Sequence, residues 1–267
     1  MVETSAESHI SRLTWVEYER RVVENDPVVI VSVGSTEQHG THTPLGCDAI
    51  VGAEIADEVA RRTGALIAPQ IAYGYKSQPR TGGGNHFPGN LCVDAETLTG
   101  MVCDIAQSFA RHGVRKICFL SSHYENQWFI IEGVQDALKA LAFAGNRDLR
   151  IACMSYYELI SPELTDAVFG DAFHGWEVEH GAVMTTSVLL HRRPELVDRD
   201  AIPDHDPILL PPYDIYPFDP ARGSQSGAMS ASTIASAENG KKFFDDITAK
   251  LCVALVKEFD LRCEHHA

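Results

Sequence analysis

A chain of 267 residues, 45% apolar and 22% charged, has the composition of a globular protein and can bury a core without disulfide staples. Its 37 acidic residues against 22 Lys and Arg give a formal charge of −15, which excludes partners held by clustered positive charge, namely nucleic acid and anionic membrane. The apolar runs fall far short of the roughly 20 residues of a membrane span, and residues 1–9 are polar and acidic with no leader pattern, so a cytoplasmic protein is expected.

Thr14 and Glu17 mark the start of a short first helix, as in a capping box. The β-branched run Val28-Val29-Ile30-Val31-Ser32-Val33 predicts a strand buried on both faces. A polar loop follows over 34–47, and Asp48 is expected to cap a helix over 49–62. Residues 65–71 read as a second strand, and 73–91 as a long loop containing Gly82-Gly83-Gly84. Asp94 is expected to cap a helix over 95–112 that Gly113 stops. Residues 116–121 form a third strand, 126–144 a helix, 150–155 a fourth strand, and 178–191 a helix. Residues 193–230 are irregular and Pro-rich, the pattern of a functional segment or an oligomer arm, and a last helix covers 237–259. Strands alternating with helices, with no linker between them, predict a single α/β domain over 1–267 whose mostly parallel sheet is covered on both faces. Seven cysteines, an odd number without a CxxC, fit buried reduced thiols.

In such a sheet, ligands bind beyond the carboxyl ends of the strands. Two polar clusters fall there. Glu37 and His39 follow the first strand, with Asp48 behind them, and His123 and Glu125 follow the third. Each acid–imidazole pair is spaced by two, so both members face one way in extended backbone. Two imidazoles and three carboxylates form a hard to borderline donor set that suits Zn²⁺ or Mn²⁺. Five donors crowd a single catalytic ion but suit two ions sharing one carboxylate, and the remaining charge of about +1 would stabilise a hydroxide. Cys47 and His42 are read as neighbours of this set. Gly175-Trp176-Glu177-Val178-Glu179-His180-Gly181 offers His180 as a proton carrier and Trp176 as a wall for a flat ligand. The glycine run at 82–84 lacks nucleotide-binding spacing and reads as a backbone-approach loop near the site, with His86 structural.

Over nearly its whole length the chain resembles the creatininase (creatinine amidohydrolase) family. Glu37-Gln38-His39-Gly40 with Asp48, and His123-Tyr124-Glu125-Asn126, resemble its two metal motifs. Tyr73-Gly74-Tyr75-Lys76-Ser77-Gln78 and the loop 82–89 resemble the substrate loop of the creatininase branch, and 175–181 its proton-relay segment. The resemblance implies a three-layer α/β/α fold, two divalent ions per chain (Zn²⁺, Mn²⁺ or both) and a homohexamer. It implies Glu37 and His123 on one ion, His39 and Glu125 on the other, and Asp48 between them. Glu125 also enters the catalytic set with His180, while Thr81, Tyr124, Tyr157, Trp176 and Glu177 match substrate-contacting positions. Tyr157 stands where that branch carries Trp, and Glu177 where it carries Asp. The expected activity is hydrolysis of a small cyclic amide, creatinine to creatine. The alternatives are C–C opening of a keto-inositol such as 3-dehydro-scyllo-inosose, hydrolysis of a formamide, or metal binding without catalysis.

Overall fold

A computed structural model describes residues 7–261. Helix α1 (Trp15–Asn25) leads into a four-stranded parallel sheet of β1 (Val28–Val33), β2 (Leu66–Ile67), β3 (Lys116–Ser121) and β4 (Arg150–Ser155), in spatial order β2-β1-β3-β4. The remaining helices are α2 (Cys47–Thr63), α3 (Pro79–Gly82), α4 (Ala95–Arg111), α5 (Gln127–Phe143), α6 (Pro162–Phe169), α7 (Val183–Arg192) and α8 (Ala237–Phe259).

Alternation along the strands builds two cores. Val28 and Ile30 of β1, with Cys118 and Leu120 of β3, pack against Ile55, Val188, Phe243 and Leu251 from α2, α7 and α8. Val29, Val31 and Val33, with Ile117 and Phe119, pack on the opposite face against Leu98, Val102, Ile130 and Val134 from α4 and α5, and Val22 of α1 joins them. All six residues of β1 are buried, as a strand covered on both sides requires. The expected α/β/α layering is therefore present.

Two glycines seat α2 on the sheet. A Cβ at Gly34, just past β1, would lie 2.8 Å from both the N and Cα of Ala49. A Cβ at Gly52 would lie 2.6 Å from Ser32 Oγ and 2.5 Å from Ser122 Oγ. With both side chains absent, the first turn of α2 rests directly on the carboxyl edge of the sheet.

Several expectations are corrected. The strand read over 65–71 is continuous only at Leu66–Ile67: Ala68 N–H still donates to Ile30 O, but the next bond to β1 runs from Ile71 N–H to Ser32 O, so one extra residue breaks the register and pairing resumes as a single bridge between Val33 and Ile71. Asp48 does not cap α2. The helix starts at Cys47, Gly46 takes the cap position, and Asp48 sits buried in the first turn. Asp94 occupies the cap position of α4, but its carboxylate pairs with Lys76 rather than with helix amides. Thr14 does cap α1, accepting from Glu17 N–H at 3.3 Å, whereas the Glu17 carboxylate turns to Arg20 and Arg21 instead of closing a capping box.

The helix read from 178 starts at Val183. The residues before it form turns, with Gly181 at φ +61° pressed against the backbone of His39, where a Cβ would come within 2.8 Å. His180 thereby sits on a loop. Among the described cysteines none is bonded to another; Cys47 and Cys118 are buried, Cys153 is exposed, and the others are half-buried. Uniform thiol burial does not hold, and Cys263 and residues 1–6 lie outside the described residues. No described helix is long and apolar enough to cross a membrane.

Candidate active site

β1 and β3 pair from Val28–Lys116 to Val33–Ser121, so they end level and their following loops start side by side. The first loop carries Glu37 and His39, the first turn of α2 carries Asp48, and the second loop carries His123 and Glu125. Glu37, His39, Asp48 and His123 are each no more than 4% exposed.

Asp48 lies between the two imidazoles, with Oδ1 3.0 Å from His39 Nε2 and Oδ2 3.1 Å from His123 Nδ1. Glu37 Oε1 is 3.1 Å from the same His123 Nδ1. The other nitrogen of His123, Nε2, lies 2.9 Å from Tyr75 O. A carbonyl only accepts, so Nε2 carries the proton and the lone pair of Nδ1 points into the carboxylates. Metal-bound imidazoles are commonly anchored through their other nitrogen on a carbonyl in this way. Both oxygens of Glu37, Asp48 Oδ2 and His39 Nδ1 are buried without a hydrogen-bond partner. Buried carboxylate oxygens in that state are costly unless a cation meets them. Glu37, Asp48 and His123 form one group whose donor atoms lie within 4.8 Å of one another, and Glu37, His39 and His180 form a second. The residues fit divalent ions. Glu125 lies at the rim: its Oε2 is 3.5 Å from His123 Nε2, while its Oε1 accepts from Gln78 N–H at 3.1 Å and from the Thr81 hydroxyl.

The electrostatics are those of a crowded anionic site. Burial opposes charge on His39, but Asp48 and Glu37 outweigh it and raise its pKa to about 8. Burial likewise opposes charge on Asp48, yet His39 and His123 drive its pKa far down. His180 is lowered to about 3 by burial and by the proximity of His39, whose ring centroid is 4.0 Å away.

One cavity collects Thr81, Tyr124, Glu125, Tyr157, Trp176, Glu177 and His180 around Glu37, His39, Asp48 and His123. Trp176 is held edge-on by Phe173 and Phe169, at centroid distances of 5.1 and 6.3 Å. Tyr124 stands at the mouth, 52% exposed, its ring 5.8 Å from that of Tyr157. The Tyr157 ring lines the cavity, but its hydroxyl is sealed from solvent beside Ser155 without closing a well-formed hydrogen bond.

Cys47 is buried next to Asp48 but belongs to neither donor group. His42 turns away to Thr186 Oγ1 at 2.7 Å, and His86 stacks on Phe87. The sequence reading missed Gln38, Glu179, Tyr156 and Thr185. Glu179, Tyr156 and Thr185 line the cavity, and Gln38 hydrogen-bonds His180. Glu179 accepts from Met184 N–H at 3.1 Å, and burial raises its pKa to about 8. Visible signals existed for Gln38, which stands between two donor candidates, and for Glu179, which directly precedes His180.

A family model described as creatininase, creatinine amidohydrolase, matches residues 11–255. A creatinine amidohydrolase of Pseudomonas putida is 42% identical over 251 residues, 94% of this chain and 96% of that protein. A crystal structure of creatinine amidohydrolase (creatininase) superposes with a TM-score of 0.94 at 41% identity, covering 97% of this chain and 100% of that one. Two further creatininase structures, a mutant of Zn-Zn type and an Mn form, each reach 0.93 at 41% identity, covering 96% and 95% of this chain and 99% of each of those. With a matched model and a relative that both span nearly its full length, this chain belongs to the creatininase family.

Proposed function

We propose that this chain is a divalent-metal-dependent amidohydrolase that converts creatinine and water to creatine. The observation that carries the reading is the buried set of unpartnered carboxylate oxygens on Glu37 and Asp48, facing His39 and His123 at the floor of a cavity walled by aromatic rings.

Glu37, Asp48 and His123 would hold one ion, and His39, Asp48 and Glu125 the other, with Zn²⁺ or Mn²⁺ as occupants. When bound, the ions supply an acidified water and polarise the amide carbonyl. Trp176 and the Tyr157 ring hold the flat five-membered ring between them. Tyr124, Thr81 and Glu177 close the cavity around its edge. Water adds to the ring carbonyl carbon, the C–N amide bond breaks, and the proton given up by water goes to the departing nitrogen. His180 is placed to carry that proton: its Nδ1 faces the carboxylate cluster, 3.6 Å from Glu37 Oε1. We further propose that the chain acts as one domain, works in the cytoplasm and assembles as a homohexamer.

The test is turnover of a panel containing creatinine, a hydantoin, a formamide and a keto-inositol by metal-loaded protein. Creatinine should be opened, activity should vanish on chelation and return with Zn²⁺ or Mn²⁺. Turnover of the keto-inositol with none of creatinine would overturn the assignment.

A further inference from the structure

Gln38 lies between two metal-ligand candidates, yet its side chain is hydrogen-bonded to the backbone of Gly82 and Gly40. It is 7% exposed and fully engaged. Its amide nitrogen donates to Gly82 O at 2.8 Å, in the glycine loop, and its amide oxygen accepts from Gly40 N–H at 3.1 Å. Its backbone N–H donates to Asn90 Oδ1 at 2.8 Å. These partners set the amide orientation and clamp the peptide on both sides. The backbone carbonyl of this clamped residue meets His180 Nε2 at 2.7 Å. The amide nitrogen lies 3.2 Å from the same ring nitrogen, but the shorter contact decides the tautomer. A carbonyl cannot donate, so Nε2 holds the proton and Nδ1 is left as the basic nitrogen facing the site.

A second feature, distant in sequence, depends on the same side chain. Gly227 has φ +89°, and a Cβ there would lie 1.8 Å from Gln38 Oε1 and 2.6 Å from Cδ. Any side chain at 227 would push the Gln38 amide off Gly40 and Gly82. Gly227 is thus the bare wall against which the amide is set.

We propose that Gln38, backed by Gly227, is a positioning residue that holds His180 in the Nε2–H tautomer and couples it to the glycine loop at Gly82. The proposal rests on the proton-carrying role given above to His180. Gln38 touches neither substrate nor ion; it acts through His180.

Gln38→Met and Gly227→Ala both remove the clamp of the Gln38 amide on Gly40 and Gly82. Each should lower kcat at least roughly tenfold, part of the 10²–10⁴ that a well-placed acid–base group supplies. KM for creatinine and metal content should hold, and thermal melting checks that each variant is folded. Combined with His180→Ala, each should cost little more, because the group it positions is gone. The ¹⁵N shifts of the His180 ring should show the Nε2–H tautomer in the parent protein and a mixture in Gln38→Met. Losses that add to those of His180→Ala, or an unchanged tautomer, overturn the proposal alone. A His180→Ala variant with full kcat overturns the role of His180 and the proposal with it.

Discussion

Asp48 places one carboxylate oxygen against each of two imidazoles, as the proposed sharing of this carboxylate between two ions requires. Asp48→Asn keeps the shape and removes the charge, so elemental analysis should show both ions lost together; an Asn variant that retains two equivalents would refute the shared carboxylate. His180 makes a different demand. If His180 carries the proton as proposed, His180→Ala should cut kcat by roughly 10²–10⁴ and leave metal content unchanged. Should metal be lost as well, the grouping of His180 with Glu37 and His39 would describe a true ligand. Tyr157 separates ring from hydroxyl. Deleting a buried hydroxyl without a good partner is neutral to stabilising, so Tyr157→Phe should raise or hold the melting temperature and keep creatinine turnover. Tyr157→Trp enlarges the stacking face and should improve kcat/KM, by about 0.5–1.5 kcal/mol at most.

The elements that carry these residues were legible to different degrees. The run Val28–Val33 declared a doubly buried strand because β-branched side chains on both faces have no other home. That Glu37, His39 and His123 meet beyond β1 and β3 was legible too, since a strand end fixes where its loop begins, whereas Glu125 stands outside both donor groups. Residues 65–71 were over-read, because an apolar pattern does not show the extra residue that puts Ile71 rather than Gln70 opposite Val33. Asp48 looked like a cap because a carboxylate before a helix is usually one; burial beside two imidazoles moved it to other work. Gln38 could not be assigned a role, since the partners that define it, Gly82 and His180, lie far along the chain. Contacts between helices were equally invisible. A Cβ at Gly240 of α8 would fall 1.8 Å from the backbone oxygen of Ser187 in α7. Gly240→Ala should therefore push α8 off its neighbour and destabilise by about 1–3 kcal/mol or more in urea unfolding.

For the molecule as a whole, pH acts through groups far apart. His42 is packed against Thr186, and burial together with nearby His39 lowers its pKa from 6.5 to about 4. As pH falls from 6.5 toward 4, the unfolded chain binds a proton that the folded chain refuses, so stability declines over that window and levels off below it. Glu58, held by hydrogen bonds from Arg61 and Arg62, has its pKa lowered from 4.5 to about 2; its contribution is full above 4.5 and is lost as pH drops through 2. Urea titrations of the parent and of His42→Gln, compared between pH 7 and pH 4, should show a shallower decline in the variant. Parallel curves would remove His42 from the account.

The level ends of β1 and β3 also bear on how the protein acquires its ions. Neither loop holds a complete set of donors, and the strands that carry them are separated in the chain by α2, β2, α3 and α4. Closing so long a loop is slow compared with forming any one helix. Metal capture is therefore a clock for the pairing of these two strands. In a refolding reaction started with Zn²⁺ and a chromogenic indicator, far-UV ellipticity should recover first, and the indicator should give up its metal only afterwards, as the two strands come into register. Uptake that precedes the ellipticity would mean that one loop gathers the ion unaided.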